Sequence, residues 1–392
     1  MNKTACRVAL MCCLGGIAGR SSEAWATNGA YLTANGAYTA GMGGVSIALP
    51  QDAVVSADNP AGMAMVGSRF DLYGLLIATE ADSTFGNVQN KYFSRVMLPG
   101  LGLGFNYEIA PRWTFGVSVT AAGVAANYGK EALPVAGAGI AKTNLITVNT
   151  TPTITYRPLP NLAVGASLVL GLEQFRSGGV IGATPDGMPL ALGSHGTEYA
   201  EGIGMGVGVL WMPIPLVSLG ASYYTKTWFT SVSGYRDDLL VDSGGHLDSP
   251  SRYGFGIAIH PLPKLSLGAD FVRILWSDAS GYNIAASFNW HDQNVVRVGA
   301  AYDLSSKWTV RMGYSFANSH FDSAHTLGNF YAPGTNDRAI TAGLTYTIDR
   351  RNMVTAALEY DIPRDVAGTG VSTGTNIRSN FQVYTIGYSH KF

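Results

Sequence analysis

From residue 69 onward, apolar and polar positions alternate in short stretches, and the stretches come in pairs. Leu101, Leu103, Phe105, Tyr107 and Ile109 alternate with Gly102, Gly104, Asn106 and Glu108. After Ala110-Pro111-Arg112 the alternation resumes, with Trp113, Phe115, Val117 and Val119 set against Thr114, Gly116, Ser118 and Thr120. Successive strand side chains point to opposite faces, so this period of two predicts strands, and the short Pro-containing break predicts a hairpin. The unit recurs around RPLPN (157–161), MPIPL (212–216), HPLPK (260–264), DLSSK (303–307) and TIDRRN (347–352).

Six tight hairpins, a first strand near 69–80 and a last near 380–392 predict fourteen strands. An even number with both termini on the short-turn side fits a bacterial transmembrane barrel, whose short turns are periplasmic and long loops extracellular. The long loops are expected at about 81–88, 125–142, 177–197, 233–249, 278–284, 319–336 and 362–378. Aromatics collect beside the short turns, at Tyr107, Trp113, Tyr156, Trp211, Tyr302, Trp308 and Tyr346. Amphipathic rings favour the bilayer interface, so these are expected to form the periplasmic girdle. Tyr388 and the terminal Phe392 resemble the aromatic-ended signal read by the barrel-assembly machinery.

Composition narrows the choice. Only 13% of the 392 residues are charged, against 49 Gly, 20 Tyr and 15 Phe. The mean hydropathy is nevertheless slightly positive, and no window past the N-terminus is long and apolar enough for a membrane helix. A barrel reconciles the two, because lumen-facing polar residues dilute each apolar strand.

Residues 1–26 are expected to be a signal peptide: Lys3 and Arg7, an apolar run over 8–18, and the small-x-small triplet Ala24-Trp25-Ala26. Cys6, Cys12 and Cys13 all fall within it, so the mature chain is expected to have no disulfide, thiol or cysteine metal site. Without Lys3, Arg7, Arg20 and Glu23, the 25 basic and 26 acidic residues become 22 and 25. That net acidity leaves nothing for a nucleic acid to bind.

Isolated chemical motifs are sparse. The seven histidines show no metal-site spacing, so no metal or cofactor is expected, and His320 and His325 read as solvated residues of one loop. His195 and His246, with Glu198, Asp242 and Asp248 nearby in sequence, are the only trace of a rim hydrolase.

Residues 27–68 break the strand grammar. They are rich in Gly and Ala, too apolar to dangle in water, and are expected to fold back inside the barrel of 69–392 as a plug. Here Gly41-Met42-Gly43-Gly44-Val45-Ser46-Ile47-Ala48, then Asp52, then Asn59-Pro60-Ala61-Gly62, resembles the hatch signature of the FadL–TodX family of outer-membrane transporters for long-chain fatty acids and aromatic hydrocarbons. Pro99-Gly100-Leu101-Gly102, the Thr150–Tyr156 approach to a turn, Gly268-Ala269-Asp270 and Lys307–Tyr314 follow in matching order.

The resemblance implies an all-β, fourteen-stranded, monomeric barrel in the outer membrane, plugged by its N-terminal hatch. It implies capture of a hydrophobic molecule on the lipopolysaccharide side, hatch movement, and sideways release through a gap at a kinked third strand. Gly116 and Gly123, in a strand over about 113–124, are the expected kink. Arg273, Arg297 and Arg311 are candidate partners for a ligand carboxylate. The alternatives are a general diffusion porin, which would need clustered charges at a constriction, or an outer-membrane enzyme.

Overall fold

The computed structural model describes residues 28–392 apart from Pro185 and Gly187; the expected leader, with its three cysteines, lies outside the described residues. Among the described residues, fourteen strands form one antiparallel barrel. They are β1 (Arg69–Thr84), β2 (Lys91–Ala110), β3 (Trp113–Asn127), β4 (Lys142–Leu159), β5 (Leu162–Gly178), β6 (Glu198–Ile214) and β7 (Val217–Tyr224). There follow β8 (Arg252–Leu262), β9 (Leu265–Ile274), β10 (Gln293–Asp303), β11 (Trp308–Ala317), β12 (Arg338–Thr347), β13 (Asn352–Asp361) and β14 (Ile377–Lys391). Each strand pairs with its chain neighbour, and β1 pairs with β14 from Arg69↔Lys391 to Ser83↔Ile377. Closure satisfies the backbone polar groups that lipid cannot.

The two prolines of the x-P-x-P turns do different work. Pro160, Pro215 and Pro263 open two-residue turns between consecutive strands. Pro158, Pro213 and Pro261 sit where the ladders shift register, between Tyr156 and Leu159, Trp211 and Ile214, and Ile259 and Leu262. Proline has no N–H to give a ladder, so it is tolerated at a bulge.

Alternation sorts the side chains. Leu101, Met312 and Ile386 face outward, each more than 60% exposed. Ser118, Thr153, Thr155, Thr341 and Thr355 are buried on the lumen side. Trp113 stacks on Tyr156 and Trp308 on Tyr346 at the short-turn end, with ring centroids 4.6 Å apart in both pairs.

The loop between β9 and β10 runs from 275 to 292, well beyond the expected 278–284. Its apolar residues Phe288 and Trp290 mimic strand positions in sequence, but they fold inward onto a loop core instead. Trp276, Tyr282 and Trp290 pack edge to face there, 4.7–5.1 Å apart for Trp276 with either neighbour. His320, read from sequence as solvated, is buried against Trp290 at 4.3 Å and Phe321 at 5.0 Å.

Candidate functional site: a filled lumen beside an interrupted wall

Residues 28–68 lie in the lumen and reach the wall on nearly every side. Asn59 is fully buried and caps the short 3-10 helix Pro60–Met65, its Oδ1 accepting from Ala61 N at 3.0 Å. Its Nδ2 donates to the Ile47 carbonyl at 2.7 Å and to the Val209 carbonyl on β6 at 3.1 Å. The Pro60 carbonyl accepts from Thr155 Oγ1 on β4 at 2.8 Å. Gly165 on β5 and Gly208 on β6 leave the room: a Cβ at Gly208 would overlap Asn59 Oδ1, and one at Gly165 would stand 2.5 Å from the Pro60 carbonyl carbon. Ala61 is fully buried, and Gly62 fits against Val55 and Pro50.

The Gly41–Gly44 run seats on the opposite wall. A Cβ on Gly41 would come 2.8 Å from the Gly343 Cα, so two backbones touch there. Gly43 and Gly44 have φ of 66° and 85°, which side chains resist. The Gly43 amide donates to Thr341 Oγ1 at 2.8 Å. Much of the barrel's lumen-facing glycine, including Gly104, Gly220, Gly299 and Gly313, meets backbone of this inner segment in the same way.

Charge finishes the docking. Asp270 on β9 accepts from Ser46 N and Ile47 N at 2.7 and 3.0 Å. Asp71 on β1 accepts from Ala53 N at 2.8 Å and pairs with Arg69 at 2.6 Å, while Arg69 also donates to the Gln51 carbonyl. Asp52 holds Val54 N at 3.0 Å; burial, reinforced by nearby Asp71, pushes its carboxyl up to about 7.

The three expected ligand cations are engaged elsewhere. Arg297 donates to the Gly44 carbonyl at 3.1 Å, and Arg311 donates to Gln51 Oε1 at 3.1 Å and lies over the Tyr38 ring. Both therefore hold the inner segment. Arg273 pairs with Asp292 at 2.9 Å, anchoring the β9–β10 loop. Arg69, Asp71 and Arg252, which donates to the Ala57 carbonyl at 2.7 Å, escaped notice in the sequence, and Asp270 was noted there only as part of the Gly268-Ala269-Asp270 run. The available signal was a charged residue on the lumen phase of a strand.

Above this segment the extracellular loops enclose an apolar pocket of about 390 Å³. Its walls include Phe175, Leu240, Tyr282, Phe288, Trp290 and Tyr331, and its edge includes Val124 on β3 and Leu145 on β4. Among the described residues lining it there is no Lys, Arg, Asp or Glu. The ring of its His325 is engaged by Asp322 at 2.7 Å. A smaller cavity of about 70 Å³ lies lower, bordered by Tyr31, Asp58, Thr120, Ala122, Asn149 and Arg252.

Both cavities border the upper half of β3, where the wall is interrupted. The β2–β3 ladder runs from Ala110↔Trp113 to Leu103↔Val119 and ends there. On its other side, β3 stays paired to β4 out to Asn127↔Lys142, and β2 stays paired to β1 out to Thr84↔Lys91. The stretches 91–102 and 120–127 thus face each other without a ladder, bridged at the top by Asn127 N donating to Ser94 Oγ at 2.8 Å.

Gly116 is not part of this interruption. It pairs with Asn106 and Thr153, and it is small because Met63 of the inner segment occupies the space of a Cβ. Gly123 does lie in the unpaired stretch, but a Cβ there would overlap the Leu145 carbonyl of β4. Its smallness serves the β3–β4 side, so a bulky residue at 123 would strain that ladder instead of restoring the missing one.

The two rim histidines have separate partners. His195 pairs with Asp238 at 2.7 Å, and His246 Nδ1 lies 2.8 Å from the Phe229 carbonyl.

The family described as outer membrane protein transport protein (OMPP1/FadL/TodX) matches residues 18–391. Among curated sequences, none matches this chain. Among solved structures, the Pseudomonas putida toluene transporter TodX is similar at 18% identity and a TM-score of 0.69, covering 92% of this chain and 99% of its own. The Ralstonia pickettii toluene transporter TbuX is similar at 20% and 0.66, with the same coverage. A Pseudomonas aeruginosa FadL homologue is similar at 15% and 0.68, covering 93% of this chain and all of its own.

Proposed function

Because this chain belongs to the OMPP1/FadL/TodX family of outer-membrane transport proteins, we propose that it carries uncharged hydrophobic molecules, aromatic hydrocarbons foremost, from the extracellular side into the membrane through its own wall. The observation that carries the reading is the position of the 390 Å³ apolar pocket, whose edge residues Val124 and Leu145 belong to the strands beside the unpaired stretch. A pocket of this size suits a small ligand. Each buried CH₂ gains roughly 0.8 kcal/mol there, while the wall gap offers a way out that never passes through water.

The absence of charge from the lining selects the cargo. A carboxylate moved into it would lose its water without gaining a cation, which is expensive. Phe175, Tyr282, Phe288, Trp290 and Tyr331 present aromatic faces and edges to a flat ring instead. The toluene transporters among the similar structures support the same cargo class.

In this account the inner segment 28–68 is the hatch, holding the lumen shut to solutes while the cargo leaves sideways. Only the first residues of the segment, beside the smaller cavity, need to shift. A general diffusion porin needs an open aqueous lumen, which a segment seated on wall glycines opposes. The protein works as a monomer, and outward-facing Tyr388 and Phe392, 40% and 60% exposed, are offered to the barrel-assembly machinery.

Uptake by cells expressing the chain, compared with a strain lacking it, tests the assignment using labelled toluene, palmitate and sucrose. Toluene alone is expected to accumulate faster. Faster sucrose would establish a porin, and faster palmitate without toluene would establish a fatty-acid carrier.

A further inference from the structure

On the outer surface, the upper end of the wall gap opens into a groove of about 370 Å³ that gathers three cations. Arg95 of β2, Lys142 of β4 and Arg176 of β5 line it together with Met97, Ala125 and Asn127. Strand register brings them there. Lys142 stands opposite Asn127, and Arg176 stands opposite Asn144, one pleat along β4 from Lys142. The hydrogen bond from Asn127 N to Ser94 Oγ draws the neighbouring Arg95 to the facing lip.

The height of the groove is defined by the side chains beneath it. Met97 and Leu101 follow Arg95 on the outward face of β2, 57% and 71% exposed, and Leu170 and Leu172 precede Arg176 on β5, 44% and 49% exposed. The wall gains charged side chains at this level, Arg95 and Glu80 on β2 and β1 and Lys142 and Arg176 on β4 and β5, as a protein surface does where acyl chains give way to headgroups. Arg95 lies 3.2 Å from Glu80. Among the described residues, Lys142 and Arg176 have no carboxylate within ion-pair distance, so two of the three charges have only water or lipid to answer them.

We propose that this groove binds a phosphate of an outer-leaflet glycolipid, the phosphorylated lipid A of lipopolysaccharide, with Arg95, Lys142 and Arg176 as its donors. A phosphate offers acceptor oxygens to several N–H groups at once, and charge-assisted bonds of this kind are strong where water is depleted. Basic pockets at membrane boundaries select phosphorylated headgroups for the same reason. A lipid held there lays its acyl chains over Met97 and Leu101, across the outer face of the unpaired stretch. The gap is then sealed against water by lipid, independently of what the protein carries.

Native mass spectrometry of the detergent-purified full-length protein with bisphosphorylated lipid A tests the proposal. One lipid A is expected to remain bound, with retention at least tenfold lower for the Arg95→Gln/Lys142→Gln/Arg176→Gln variant and unchanged in Lys142→Arg on an otherwise wild-type background. Folding of each variant is read from heat-modifiable gel migration; should the triple variant misfold, Lys142→Gln/Arg176→Gln replaces it with the same expected loss. Dephosphorylated lipid A should be retained no better by the wild type than by the variant. Equal retention of lipid A by wild type and variant, or of the phosphorylated and dephosphorylated forms, would overturn the proposal. So would displacement of lipid A by free pyrophosphate at an equal concentration, which would leave a simple anion site.

Discussion

The side-chain amide of Asn59 donates to the main-chain carbonyl of Val209, 3.1 Å away, joining the inner segment to the centre of a barrel strand. The same side chain closes its own turn on Ala61 and ties back to Ile47. One buried residue therefore fixes the fold of the segment and its seat on the wall.

Asn59→Ala removes all three bonds and leaves the Ile47 carbonyl and the buried Ala61 amide short of a partner, a loss of roughly 1–3 kcal/mol for each orphaned group. Gly208→Ala attacks the same contact from the wall, since its Cβ would overlap Asn59 Oδ1. Both variants should assemble as barrels yet pass ions in planar bilayers far more often than the wild type. Wild-type conductance in both would mean that this contact does not hold the lumen shut.

Protonation of Asp52 should tune the seat. Its carboxyl is pushed up to about 7 in the docked segment, against an ordinary value of 3.8 once released into water. A raised acid favours the docked state fully below the released value, and that advantage is lost as pH rises through the docked one. Ion conductance should therefore climb between pH 5 and pH 7 and level off above it. Asp52→Asn, which cannot ionise, should stay low and flat across that range; a climb that persists in the variant would assign the titration to another group.

On the proposed route, cargo passes the small lumen-facing side chains beside the missing ladder. Ala122 borders the smaller cavity and lies in the unpaired stretch of β3. Ala122→Trp should slow toluene uptake at least tenfold while the heat-modifiable folded band keeps its wild-type intensity. Undiminished uptake would place the route elsewhere.

Charge inside the upper pocket should be penalised. Phe175 and Leu145 pack in its wall, whose described lining residues include no Lys, Arg, Asp or Glu. Leu145→Arg places a cation in a lining that has none and should abolish toluene uptake. If the same variant gains palmitate uptake, the uncharged lining is what sets cargo choice; if toluene uptake is untouched, the pocket is not on the route.

The barrel was readable because alternation is a local signal: each run such as Leu101–Ile109 reports its own two faces, and four of the six short turns report themselves through proline. The inner segment stood out in the sequence as a departure from that grammar, and Asn59 and Pro60 make two of its several contacts with the wall. Pocket and gap were another matter. Phe288 and Trp290 carry a strand-like pattern but pack in a loop core, because their burial comes from residues such as Tyr282 and His320 on other turns of chain. The arginines pose the same difficulty: Arg297 and Arg311 face the lumen while Arg273 lies on the outward phase of its strand with Phe271, and whether Arg297 meets a ligand or the Gly44 carbonyl depends on what fills the lumen. Gly116 and Gly123 looked alike in sequence, and only their neighbours, Met63 and the Leu145 carbonyl, tell them apart.

Whether cargo leaves through the wall or down the axis is decided most directly by locking the plug in place. Ser56 Oγ and Ser118 Oγ lie 2.8 Å apart, joining the inner segment to β3 below the unpaired stretch. The described residues contain no cysteine, so a Ser56→Cys/Ser118→Cys pair would form the sole cross-link among them, within reach of ordinary disulfide geometry. Toluene uptake by cells carrying this variant is measured oxidised and after addition of a reductant. Release through the wall requires the two rates to agree with each other and with the wild type; a rate that collapses on oxidation and returns on reduction would mean that the plug itself must move aside, contradicting the lateral route.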